Sequence, residues 1–525
     1  MHKSVLVWAY CYYKMDMKVM LINPPVRSDI KEVLGVNGVP LGLIYLASVA
    51  RNEGHEVKFL DASAEGMDLN SVKSRVRDFY PDVVGVTATT PAFYDACDVA
   101  RVSKEVNKDI ITVIGGPHVT FVPKYTLKKC PYLDIVVRGE GEVTFKEILT
   151  ALKGPNRSVD SLDNILGLTY RRENGEIVHN PPRPLIPNID DLPIPSYDLI
   201  NWDRYSYGKL RYGVIMTSRG CPFNCVFCSS SLQFGKKWRG HSTERVIEEI
   251  KILYDDFKIR EIEFLDDTFT LNRKRAQQIS DEIVREGMDI SWSASSRVNT
   301  IDRETAEKMK RAGAHTIYFG IESGTQKILN FIGKGITLGQ AIKAIKIAVK
   351  AGLNSLGSFI IGFPMEKKED IERTVKFAKK LDVTYAQFTI ATPYPGTRLW
   401  YYALKNNLIK TLNWRLYTTT RSVMKSFYLT TEQIERALVK AYLSFYLRPK
   451  YAIRDLIKGR SSLLLRTAPA IMRSIRRLMG ARKAEDETLD ERDLEEIMKE
   501  PRAEFPSIGL TELPKFRTTY LHVKA

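Results

Sequence analysis

Along residues 18–150, short apolar runs alternate with stretches whose hydrophobic positions repeat at helical spacing. Residues 18–25 read as a buried strand ending in prolines, and residues 41–52 as a helix. Further strands are predicted at 56–60, 82–87, 111–114 and 135–137. Runs this short and this apolar suit strands buried on both faces, and the helical patterns between them supply parallel crossovers. The fold class is therefore α/β, opening with a doubly wound, Rossmann-like domain over residues 17–150. Ligands on such sheets bind outside the carboxyl ends of the strands.

The loops expected at those ends are rich in Gly, Ser and Thr. They contain Gly38 and Gly42, Thr89, then Gly115-Gly116-Pro117-His118, and Arg138-Gly139-Glu140-Gly141-Glu142. Glycine lets backbone approach a large ligand, and hydroxyls donate hydrogen bonds to it.

Residues 151–205 read as a connector: a hairpin turning at Asn174-Gly175, then a proline-rich extended stretch. From Tyr212 the alternation resumes, with strands near 213–217, 260–265, 290–296, 315–321, 356–361 and 384–391. Helices are predicted near 243–257, 272–286, 303–312, 337–351, 367–381 and 397–406. Six strand–helix units predict a partial (β/α)6 barrel over residues 206–408, with reactive residues at the carboxyl ends of its strands.

Beyond it the pattern is helical over 409–484, with 485–525 an acidic segment and tail. Between Ile457 and Ala484 every charged side chain is Lys or Arg, with Ile471, Ile475, Leu478 and Met479 forming an apolar side. Such a basic amphipathic segment suits anionic headgroups, so peripheral association with the inner face of a membrane is expected of a cytoplasmic protein. The acidic residues 485–500 are expected to be exposed and to neutralise it. No run is long and apolar enough to span a bilayer, and residues 1–16 form an extension lacking a small-residue cleavage site. A start at Met15 or Met17 would suit the first strand. The net charge of +17 fits an anionic membrane surface, nucleic acid or an anionic substrate.

Of the six cysteines, Cys11, Cys97 and Cys130 are scattered, a reducing-compartment pattern and no disulfide framework. The other three make Cys221-Pro-Phe-Asn-Cys225-Val-Phe-Cys228, directly after an apolar run. Thiolates this close suit three irons of a [4Fe-4S] cubane, leaving the fourth iron open for chemistry. Zinc sites favour paired CxxC ligands and a fourth residue, and no second pair exists here.

This triplet, with Phe227 before its last cysteine, resembles the radical SAM signature. Together with the amino-terminal loops, the chain resembles the cobalamin-binding radical SAM enzymes, among them hopanoid methylases and archaeal tetraether lipid ring synthases. The resemblance implies that the open iron binds S-adenosylmethionine (SAM) and that one electron cleaves it to a 5′-deoxyadenosyl radical. It implies SAM amine contacts around Asp266 and Asp267, a carboxylate partner in Arg297, ribose contact by Glu322 with Ser323 nearby, and adenine contact along the strand ending at Gly362. It also implies that Gly38, Gly42, Ser63, Thr89, Gly115, Gly116, His118, Gly139 and Glu140 surround a cobalamin. Many cobalamin proteins place a cobalt-ligating His in a D-x-H-x-x-G stretch; here Asp61-Ala62-Ser63-Ala64-Glu65-Gly66 puts Ser at that position. A base-off corrinoid without a His ligand is therefore expected.

The resulting expectation is an enzyme forming a C–C bond at an unactivated carbon, with a lipid or other small molecule as substrate and a reducing electron donor as partner. Porphyrin-type oxidative cyclases and natural-product C-methyltransferases share the resemblance. RNA-modifying radical SAM enzymes carry three more cluster cysteines at the amino terminus, which this chain lacks, so no nucleic acid is expected. A non-catalytic corrinoid or redox sensor would not need the SAM-side motifs.

Overall fold

The computed structural model describes residues 16–26, 38–153, 158–207, 210–449 and 490–500. Residues 1–15, the part of the expected helical region from 450 on, including the basic segment of 457–484, and the tail after 500 lie outside the described residues.

Strands β1 (Lys18–Asn23), β2 (Glu56–Asp61), β3 (Val83–Thr87), β4 (Ile111–Gly115) and β5 (Ile135–Val137) are parallel, in the order β2-β1-β3-β4-β5. In β1, Met20 and Ile22 enter one apolar cluster while Val19 and Leu21 enter another, so both faces are covered. The chain reverses direction across the sheet between β1 and β3, the place where such folds bind ligands. The hairpin expected in the connector is instead the sheet's edge: β6 (Leu168–Arg171) and β7 (Ile177–His179) continue it antiparallel after β5. A hairpin of its own is marginal in water, and pairing with β5 buries one of its faces.

A second sheet follows. Its antiparallel edge is β8 (Ser206–Tyr207), paired with β9 (Leu210–Ile215). A short ribbon, β10 (Ser218–Arg219) with β11 (Arg239–Gly240), stands apart from it. Next come β12 (Glu261–Phe264), β13 (Ser291–Ser296), β14 (Ala314–Glu322), β15 (Asn354–Ile361) and β16 (Tyr385–Ile390). The order β16-β15-β14-β13-β12-β9-β8 contains the six expected parallel strands and stays open between β16 and β8. One apolar cluster runs from the first sheet into the barrel, so the two units share a core. The segment expected as one helix over 243–257 ends in a π-helical turn at Ile252–Asp256, and a further short helix, Gln326–Phe331, was not anticipated.

Edge strand β16 is closed by two tyrosines of the Thr431–Tyr446 helix. Tyr442 Oη donates to Phe388 O (2.9 Å) and accepts from Phe388 N (3.2 Å). Tyr446 Oη repeats this at Ala386, at 2.9 and 3.1 Å. Four residues of helix advance about 6 Å and two of strand about 6.7 Å, so i,i+4 hydroxyls match alternate backbone groups. A helix thus does the work of one more strand beside β16.

Two expectations about side chains are corrected. Cys97 and Cys130 are not isolated: their sulfurs pair, with Cα atoms 5.8 Å apart, because the Phe93–Val106 helix packs beside the end of the Pro123–Lys129 helix. Residues 490–500 of the acidic segment dock rather than lying free. Its Glu491–Met498 helix buries Ile497 and pairs Asp493 with Lys129 (2.7 Å) and Glu496 with Lys128, both on the first domain.

Tyr442→Phe strands the edge N–H and C=O of Phe388 and is expected to lower unfolding free energy by about 1–3 kcal/mol. Denaturant unfolding of both proteins measures this; a change within error would mean that water serves the edge equally well.

Candidate active site

The cysteine loop hangs between the ends of β9 and β12. Asp266, just past β12, is buried and accepts four hydrogen bonds: from Thr217 N (2.6 Å), Thr217 Oγ1 (2.7 Å), Ser218 N (3.1 Å) and Ser218 Oγ (2.7 Å). Burial pushes its carboxyl up, opposed by the Arg275 charge and those donors. Gly220 follows with φ +90°, and a Cβ there would lie 2.4 Å from Lys237 O, so only glycine fits this turn. Backbone bonds then sew the loop to the barrel: Cys221 N to Gly235 O (3.1 Å), Val226 N to Ile332 O (3.0 Å) and Leu399 N to Val226 O (2.8 Å).

All three cysteines are free and half-buried. Burial raises the thiols of Cys221 and Cys228, the latter to about 11, and the nearby Cys225 and Asp267 charges raise both further. Cys221 and Cys228 therefore both lie within electrostatic reach of Cys225 and of Asp267. Thiols held this high become thiolates only when a metal withdraws the proton's share of charge, which suits a cluster's irons. Among the described residues, no three His, Cys, Asp or Glu side chains are placed to hold a single metal ion.

Beside the cysteines stand the SAM-side residues. Arg297 is buried, lies 3.5 Å over the Phe223 ring, points Nη1 at Cys225 Sγ (3.8 Å) and donates Nη2 to Lys334 O. Asp267 has an Oδ2 that is buried and without a partner, and burial pushes its carboxyl up. An orphaned carboxylate oxygen near the Cys221 and Cys228 thiols suits an ammonium group, and the Arg297 fork suits a carboxylate. These two fit the ends of an amino acid moiety.

Four of the expected residues have partners within the protein itself. Asp266 holds the cysteine loop and has no oxygen left to offer an amine. Glu322, with φ +67°, is ion-paired to Lys334 Nζ (2.6 Å) in the barrel. Ser323 is fully buried and bonds Thr325 and Thr374 (3.3 and 3.2 Å), which ties its loop to the Lys368–Leu381 helix. At Gly362, φ is +86° and a Cβ would lie 2.7 Å from Ile434, so this glycine serves close packing of the Thr431–Tyr446 helix.

On the first sheet, Ser63, Thr89, Gly115, Gly116 and Gly139 lie at or just past the carboxyl ends of β2 to β5, while Gly38 precedes and Gly42 lies in the first turn of the Leu41–Asn52 helix. A Cβ on Gly38, Gly42 or Gly139 would meet nothing within 4 Å, so the cradle is open where a large ligand needs room. Thr89 is exposed with no capping bond from its hydroxyl. Ser63 Oγ donates to Val26 O (3.1 Å).

His118 and Glu140 are both buried against other parts of the protein. His118 is fully buried between the rings of Phe93 and Trp414 (4.8 and 4.9 Å), with Nδ1 3.3 Å from Thr90 Oγ1. Its place is a domain interface walled by aromatics. Glu140 is buried in ion pairs with Arg219 (3.2 Å) and Arg239 (2.8 Å), and Glu142 pairs with Arg219 (2.6 Å). Burial drives the Glu142 carboxyl up, yet the Arg219 guanidinium beside it holds it below the ordinary range. Arg219, Arg239, Lys334 and Gln233 escaped sequence reasoning. No local pattern marks a residue whose partner lies on another domain.

A corrinoid-type sheet joined to an open parallel barrel that carries three thiols on one loop defines a class using two cofactors. The radical SAM superfamily model matches residues 215–378 and the B12 binding domain model residues 27–149. The uncharacterized methyltransferase PH0819 of Pyrococcus horikoshii is 59% identical over 428 residues, 82% of this chain and 92% of the relative. The anaerobic magnesium-protoporphyrin IX monomethyl ester cyclase of Rubrivivax gelatinosus is 31% identical, covering 73% of this chain and 69% of that protein. The hopanoid C-3 methylase of Methylococcus capsulatus is 27% identical, covering 81% of each. Among solved structures, OxsB with aqua-cobalamin and SAM bound gives a TM-score of 0.67 at 20% identity, covering 85% of this chain and 69% of that one. TsrM from Kitasatospora setae, with cobalamin and a [4Fe-4S] cluster bound, gives 0.62 at 20% identity, covering 75% of each. The chain belongs to the cobalamin-dependent radical SAM methyltransferase family of enzymes.

Two measurements test this anatomy. Asp266→Ala leaves its four buried donors without their acceptor and removes the charge that balances Arg275; about 3–5 kcal/mol of stability is expected to go, with less iron retained after anaerobic reconstitution. Normal iron content would show that the loop holds its own shape. Burial lowers His118 from 6.5 to about 3. Between those values the unfolded chain binds the extra proton, so stability falls as pH drops below 6.5, by up to about 1.4 kcal/mol per pH unit. His118→Phe is expected to flatten the pH 7 to 5 dependence of thermal unfolding; an unaltered slope would contradict it.

Proposed function

We propose that this chain methylates an unactivated carbon of a membrane lipid by radical chemistry, in which Cys221, Cys225 and Cys228 would hold the cluster and the first domain, with Ser63 where a ligating His would stand, would hold a base-off corrinoid. The observation that supports it is the packing of the carboxyl-end loops of the two sheets against each other. Gln233, five residues after Cys228, donates to Gly139 O (3.1 Å). A Cβ on Gly396, past β16, would strike the Phe121 ring beyond β4. Loops for two cofactors therefore border one shared space, which a two-cofactor reaction at one carbon requires.

When bound, the cofactors supply one-electron cleavage of SAM and a methyl group on cobalt. The chain's own residues do the rest. Asp267 and Arg297 orient the amino acid end of SAM, Asp266 keeps the thiol loop in place, and the shared core excludes water. The hopanoid methylase relative and the basic segment of 457–484 support a lipid substrate approached from the inner membrane face. Among the described residues no helix is long and apolar enough to cross a membrane. The cyclase relative supports ring closure as a second reading, in which the substrate carbon radical attacks its own molecule.

Anaerobically reconstituted protein is expected to carry about four irons and to release 5′-deoxyadenosine from SAM under strong reduction. Cys225→Ala is expected to abolish that release while still retaining corrinoid. With methyl-deuterated SAM, lipid extract should gain a labelled methyl. Label in a porphyrin or an RNA nucleoside, with none in lipid, would defeat the substrate assignment, and intact SAM would defeat the chemistry.

A further inference from the structure

We infer that the buried Glu140–Arg219–Arg239 network, extended by Glu142 and Gln233, is a positioning device that sets the distance between corrinoid and cluster. The inference rests on the two-cofactor reading above.

The cysteine loop is gripped from both sides by one loop of the first domain. Arg219, two residues before Cys221, reaches Glu140 and Glu142. Gln233, after Cys228, reaches the Gly139 carbonyl. Arg239 closes the circuit: it joins the same Glu140 (2.8 Å) to Phe234 O (2.8 Å), in the chain that leaves the cysteine loop. Glu140 therefore holds two guanidinium groups, and its side chain is 2% exposed against 6% and 5% for theirs.

Gly139, at the base of this loop, also belongs to the open cradle of the first sheet. One short segment thus borders the corrinoid side with its glycine and clamps the cluster side with its two carboxylates. Taking four charges out of water contributes little net stability compared with an apolar contact of the same volume. What such a network does provide is register, because each charge is satisfied only at one mutual placement of the domains. Apolar packing alone would let the domains slide at small cost.

The test measures the spacing itself. In holoenzyme loaded with cob(II)alamin and a reduced cluster, dipolar electron paramagnetic resonance between the two centres reports their separation. Wild type is expected to show one narrow distance. Glu140→Gln, with iron and corrinoid contents matched, is expected to broaden that distribution by about twofold, since two guanidinium groups lose their shared anion. Gln233→Met removes one hydrogen bond, preserves the buried charges, and is expected to broaden it less; it is decisive if Glu140→Gln does not fold. An unchanged distribution in the folded variants would overturn the inference. A wild type that takes up no cluster or no corrinoid would instead overturn the functional reading beneath it.

Discussion

An eight-residue loop with three cysteines has little internal hydrogen bonding to hold its shape, so its geometry is imposed from outside. The Asp266 carboxylate is the first of those constraints. It takes both backbone and both hydroxyl donors of Thr217-Ser218, and so fixes the direction in which the chain leaves β9. Arg275 binds Thr217 O (2.8 Å) and Thr217 Oγ1 (3.1 Å) from the other side. Gly220 then turns the backbone where no side chain has room. Each later feature of the site, from the thiols to Arg297 over Phe223, inherits its position from this anchor.

The same logic governs the contact between domains. Their shared apolar core draws the units together without specifying a unique placement. The buried charges add the specification: Glu140, Glu142, Arg219 and Arg239 tolerate burial only as a set. An aromatic group formed by Phe93, His118, Tyr125 and Trp414 seals a second part of the interface. There His118 stays neutral because burial disfavours its charged form. Polar register and apolar seal together leave open space at Gly38, Gly42 and Gly139.

The carboxy-terminal elements close what the two sheets leave unfinished. A partial barrel has an edge strand by construction, and an unpaired edge invites association. Tyr442 and Tyr446 satisfy it from a helix, their rings stacked 6.3 Å apart. The Glu491–Met498 helix covers part of the first domain in a comparable way, with acidic side chains meeting Lys128 and Lys129. Its acidic run suggested a free, solvated segment, because composition records charge but not the surface that receives it.

The strands of both sheets were legible from their apolar runs, since burial on one or both faces writes a period into neighbouring residues. The CxxxCxxC spacing was equally legible, because a loop brings its own cysteines together whatever the rest of the chain does. An open-space glycine such as Gly139 followed from the position of a strand end. The destinations of Glu140, His118, Glu322 and Ser323 were not legible. Neither were the Cys97–Cys130 pairing, the hairpin's place beside β5 and the tyrosines on β16. A side chain in a strand-end loop can turn toward a ligand or toward another domain, and local sequence is the same in either case. Sequence by itself determined what each segment is, through patterns a few residues long; only tertiary packing decided which distant charges and hydroxyls would meet, because partners such as Glu140 and Arg239 become neighbours only once both sheets have formed.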